Sequence, residues 1–169
     1  VLTKPRNIPF TMISNLTSKF YRSLFSPGVL GLILFFTASI TGYLLFIHDN
    51  TSFVYFGDAV SHIVRARQFI DSQQPGINNI GTVWLPLPHL LLLPIVAIDS
   101  LFYTGIAGAI IGIPFLICIV LLLFFIIKTL THSRPIAFFF ALLFGLNPNL
   151  IYIALTPMNE ISLLFFVTL

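Results

Sequence analysis

Charge is what this sequence has least of. Of its 169 residues only eight are Lys or Arg and five are Asp or Glu, 8% in all where a soluble domain carries about a quarter. That scarcity excludes an ordinary water-soluble domain. Cysteine is nearly absent as well: Cys118 stands alone in an apolar run, which rules out an intrachain disulfide and leaves the redox compartment open. The net charge of +3 would suggest nucleic acid in a soluble protein. Here the basic residues are read as topology signals and no nucleic-acid partner is expected.

What is abundant is hydrocarbon. Hydrophobic residues make up 57% of the chain and 19 residues are Phe. The fold class expected is an all-α integral membrane protein, a polytopic helical bundle lying in the bilayer, with amphipathic juxtamembrane helices in a first outer loop. The closing run from Ile161 is shorter than the roughly 20 residues a span needs, so the chain is expected to be the N-terminal part of a larger protein.

Positive charge orients the helices. Lys4, Arg6, Lys19 and Arg22 mark residues 1–27 as a cytoplasmic segment, and residues 28–47 form a first span, read as an uncleaved signal anchor. Lys128 and Arg134 make a second basic, cytoplasmic loop, so an even number of crossings lies between. Three apolar runs lie in that interval, so one does not cross, and residues 84–98 are short and carry Pro86, Pro88 and Pro94. They are assigned to the outer surface, with Trp84 as a headgroup anchor. Residues 105–127 then cross inward, residues 136–154 cross back, and residues 161–169 begin a truncated span. The outer loop is 48–104. On this count Asp58 and Glu160, about 100 residues apart, share the extracytoplasmic side.

The densest charge lies in Gly57-Asp58-Ala59-Val60-Ser61-His62-Ile63-Val64-Arg65-Ala66-Arg67. Residues 58–71 fit an amphipathic helix: at 100° per residue Asp58, His62 and Arg65 fall in one sector, while Ala59, Val60, Ile63, Val64, Ala66 and Ile70 take most of the opposite side. Arg67 sits at the apolar edge, where its stem can snorkel. A plain structural reading stands beside a functional one. Asp58 is a good N-cap, and His62 and Arg65 could complete an exposed ladder. Glu160 could open a helix after Thr156-Pro157, but a carboxylate beside a span is also a functional candidate by default. His89 is either structural or a third polar group of a site. Asp49 and Asp99 read as loop acids.

This order of parts resembles the N-terminal module of GT-C fold glycosyltransferases that use polyprenyl-phosphate-linked sugars. It is most similar to the protein O-mannosyltransferase-like branch, including the aminoarabinose transferases of lipid A. The residues carrying the resemblance are Gly57-Asp58-Ala59 with His62 and Arg65, then Gly81-Thr82-Val83-Trp84-Leu85-Pro86-Leu87-Pro88-His89-Leu90, and Thr156-Pro157-Met158-Asn159-Glu160. It covers roughly residues 28–169, about the first third or less of a typical member. It implies inverting transfer of a sugar to a protein, lipid or glycan hydroxyl, with Asp58 as general base and polyprenyl phosphate as leaving group. Arg65 would pair with the donor phosphate, Glu160 would bind hydroxyls, and His62 and His89 would belong to the substrate site. A divalent metal, if used, would draw on Asp58, His62 and Glu160. Ala59 stands where many relatives have a second acid, and Trp84-Leu85 where many have a basic residue. Rival classes are a transporter with Asp58 and Glu160 as coupling groups, and a non-catalytic membrane subunit.

Overall fold

Long apolar runs satisfy their backbone within the segment by forming helices, and this chain does so throughout. In the computed structural model, which describes residues 18–79 and 84–169, every regular element is helical. The helices are α1 (Pro27–His48), α2 (Gly57–Gln68), α3 (Pro86–Val96), α4 (Asp99–Thr104), α5 (Ile106–Thr131), α6 (Arg134–Gly145), α7 (Pro148–Leu155) and α8 (Glu160–Thr168). Lys4, Arg6 and residues 81–83 of the resemblance lie outside the described residues.

The first long helix is set by its ends. The Ser26 hydroxyl accepts from the Val29 amide at 3.2 Å with Pro27 at the first helical position, both favoured at a start. Past the other end, Asp49 Oδ1 accepts from the amide and the hydroxyl of Thr51, a turn that competes with further helix. Counted with the helical residues before it, Ser18–His48 is long and apolar enough to cross a membrane, as is α5, Ile106–Thr131. The run expected as a span over 136–154 is two helices bent by 60°, the form of a broken span or a re-entrant loop. Asn147 caps the second through the Asn149 amide and Pro148 opens it. An Asn-Pro pair restarts a helix better than it continues one.

The centre is α5, against which α1, α3, α6, α7 and α8 all pack. On α1 the inward residues recur every four positions, Leu30, Leu34, Ala38 and Gly42; the first three join Leu116, Val120 and Phe124 of α5 in the main core. Leu32, Phe36, Ile40 and Leu44, on the same spacing, are exposed. An outward face of that composition suits hydrocarbon rather than water, and with the two long helices it supports membrane association. A smaller core of Ile63, Ala66, Leu92, Val96 and Ala107 ties α2 and α3 to the start of α5.

Two expectations about the outer loop change. α3 is an ordinary helix for most of its length: Pro86 and Pro88 fall in its first turn, where the amides have no intrahelical partner in any case, and only Pro94 is interior. α2 does not present His62 outward. Its buried stripe is Ala59, His62, Ile63 and Ala66, the i, i+3, i+4, i+7 pattern of a helix packed on a helix. Val60 and Ile70, on the expected apolar side, are exposed and do not join that packed stripe. His62 lies where the polar sector meets the stripe, and α3 covers it.

Candidate functional site

Three segments build one cleft of about 540 Å³: the start of α2 gives Asp58 and His62, the start of α3 gives Trp84 and Leu87, and the start of α8 gives Asn159 and Glu160. The two carboxylates that sequence placed on one side thus line one cavity. Both residues are exposed, and neither forms a hydrogen bond or an ion pair among the described residues. Asp58 is not the cap of α2. Phe56 holds that position without a side-chain bond and Asp58 sits in the first turn, where a negative charge is favoured by the helix dipole.

Behind the carboxylates is a buried polar knot. His62 is 4% exposed and His89 fully buried. His62 Nδ1 lies 3.1 Å from His89 Nε2 and 3.2 Å from Asn159 Nδ2. With the amide in this orientation Asn159 donates, so Nδ1 of His62 accepts and its proton is on Nε2. The Trp84 ring meets His62 edge-on, centroids 4.8 Å apart. Burial pushes the His62 imidazole below its ordinary range, opposed by the charges of Glu160 and Asp58. Burial also lowers His89, helped by His62 and Arg65, with the Leu85 carbonyl acting the other way. That carbonyl does not complete a hydrogen bond: Nδ1 of His89 and Oδ1 of Asn159 are buried without partners among the described residues.

Arg65 and Arg67 belong elsewhere. Arg65 donates to Gln68 Oε1 at 3.2 Å and does not line the cleft, so the ladder Asp58–His62–Arg65 does not form. Arg67 is a structural clamp. It donates to the Val96 carbonyl at 2.5 Å and to Asp99 Oδ1 at 2.7 Å, and its guanidinium lies over the Phe102 ring. Asp99, read as a loop acid, is therefore the anchor that joins α2 to α4, and Arg67 does more than snorkel. Asp58, His62 and Glu160 are the possible metal set. No group of three among His, Cys, Asp and Glu that could hold an ion occurs among the described residues. His62 Nδ1 is occupied by His89 and Asn159, and the two acids stand on exposed positions of the cleft wall.

The cleft keeps its shape because α5 lets the 154–157 segment come very close. A Cβ on Gly108 would collide with the backbone of Thr156 and Pro157, and one on Gly112 with the Ala154 carbonyl. Asn159 and Glu160 follow directly from that contact. Nearby, on α7, Tyr152 donates from its hydroxyl to the Ser52 carbonyl at 3.0 Å.

Sequence reasoning passed over Asn159 and Trp84 as site residues, one taken as part of a helix start and the other as a headgroup anchor. Their signal was position: Asn159 stands directly before Glu160, and Trp84 five residues before His89. No protein-family model, curated protein or solved structure matches this chain.

Proposed function

We propose that the chain carries part of a multi-pass membrane glycosyltransferase which moves a sugar from a polyprenyl-phosphate donor to an acceptor hydroxyl at the extracytoplasmic face. One observation carries this reading: Asp58 and Glu160, each without a hydrogen-bonding partner of its own, share a cleft with Trp84 and with apolar residues such as Leu87, Leu163 and Phe166. Carboxylates suit hydroxyls, an indole suits the apolar face of a sugar ring, and the apolar wall suits a lipid chain. The positive-inside rule places Lys19, Arg22, Lys128 and Arg134 in the cytoplasm, and α1 and α5 as the two crossings between them leave the α2–α3 loop outside.

In this reading Asp58 takes the proton of the acceptor hydroxyl as that oxygen bonds to the anomeric carbon, and the carbon–oxygen bond to phosphate breaks with its electron pair leaving on the phosphate. Inversion follows from direct displacement. His62 donates from Nε2 to the departing phosphate, and Glu160 binds sugar or acceptor hydroxyls. Arg65 lies outside the cleft and is given no contact with the reacting atoms.

A transporter would use broken helices that bear its charged groups near the midplane. The break here, at Leu146-Asn147, carries none, and the acids stand on other elements. Replacing Asp58 by Asn tests the proposal. Sugar transfer from a labelled polyprenyl-phosphate donor should fall by about 10²-fold or more with insertion and helix content unchanged; undiminished transfer would remove Asp58 as the base.

A further inference from the structure

The His62–His89 contact has no role in the transfer step beyond fixing a tautomer, yet it is the only bridge of ring nitrogens among the described residues and, with the Asn159 amide on the same His62 nitrogen, joins all three walls of the cleft. The geometry allows one proton in it. At 3.1 Å one nitrogen must donate and the other accept. With the Asn159 amide as it stands, His89 Nε2–H donates to His62 Nδ1; with the amide reversed, His62 Nδ1–H donates both to Asn159 Oδ1 and to His89 Nε2. Either way a single hydrogen lies between the rings. Two would set N–H against N–H inside a buried pair, and water cannot dilute that repulsion.

We propose that His89 is a positioning residue that acts through His62: the shared proton latches α2 to α3 and, through Asn159, to the Glu160 wall, holding Glu160 at a fixed separation from Asp58, and a second proton opens the latch. The functional meaning rests on the reading of the cleft as a reaction site, but the latch itself is a property of the fold. Three charged groups face the pair. Asp58 and Arg65 come from α2 and Glu160 from α8; α3 has no titratable residue besides His89, and the part of α5 near the cleft has none. The two acids favour protonation of His62, and Arg65 disfavours it at His89. The first proton therefore settles on His62 Nδ1; the hydrogen of His89 passes from Nε2 to Nδ1, on the side of the Leu85 carbonyl, and the Asn159 amide reverses to accept. The second has no such accommodation.

The test needs no substrate. Cys118 is first replaced by Ser, and spin labels are placed at Val60→Cys on α2 and Val167→Cys on α8, both exposed positions. In the full chain in lipid nanodiscs the label separation should lengthen by about 3 Å, the room one water takes, as pH falls from about 8 to well below histidine's ordinary range of about 6.5, because burial and the charge of the first proton both hold the second one down. His89→Gln keeps a hydrogen bond and cannot titrate, so its separation should stay short at both pH values; His89→Phe should be long at both. An unchanged wild-type separation, or a His89→Gln protein that titrates like wild type, would overturn the latch. Nitrogen-15 histidine spectra of the wild-type protein provide a check free of mutation: a coupling across the Nδ1···Nε2 pair should be present at about pH 8 and vanish as the second proton binds. Two rings titrating independently would also overturn it. Titration of the distance, with no transfer of sugar by the full-length protein that contains this chain, would leave the latch standing and remove the glycosyltransferase reading.

Discussion

Placed side by side on a helix, Asp58 and His62 end in different environments, and the difference gives them different work. Asp58 is exposed with no bonding partner of its own among the described residues; His62 is covered by α3 and fixed by His89 and Asn159. Both buried imidazoles are depressed, so below about pH 6.5 the unfolded chain binds more protons than the folded one. Stability should therefore fall as pH drops from that value towards the lowered folded values, and level off beneath them. Thermal unfolding in detergent across that window checks the sign, and His89→Gln should flatten the slope. Arg67→Met tests the other polar cluster: α4 should exchange its amide hydrogens faster, with the cleft residues unaffected. At this scale sequence showed which residues carry charge but not which partners they take. Arg67 finds Asp99 across 32 positions, and His62 finds His89 across 27; no local spacing encodes either pair.

At the level of elements, the legible parts were those fixed by uninterrupted hydrocarbon. The runs 28–47 and 105–127 became Pro27–His48 and Ile106–Thr131 because nothing inside them offers an alternative to helix, Pro114 included. The bend between α6 and α7 was equally local, yet counting apolar residues hides an Asn-Pro restart. The rotation of α2 was not legible, because which face of a helix is buried depends on the neighbour it meets. Close packing between α5 and the 154–157 segment gives a sharp element-scale test. Gly112→Ala should destabilise by about 1–3 kcal/mol through overpacking and displace Glu160. Gly31→Ala, whose added carbon would meet only an Ile117 methyl at 3.6 Å, should be close to neutral. Equal unfolding midpoints for the two variants would contradict the tight crossing.

For the molecule as a whole, the distant segments 57–68, 84–96 and 159–168 meet on one side of α5, and the two long helices are what a membrane would hold. The proposed chemistry stands on what these segments enclose. Trp84 is the chain's single tryptophan and lines that cleft, so its fluorescence reports the site without any added label. The most direct measurement is a titration of the wild-type protein in nanodiscs with a polyprenyl-phosphate-linked sugar, alongside the same lipid phosphate without sugar. A saturable change in Trp84 emission that needs the sugar, and that weakens in Glu160→Gln, is the predicted result. Emission that stays constant, or responds equally to the sugar-free lipid, would contradict a sugar site between Asp58 and Glu160.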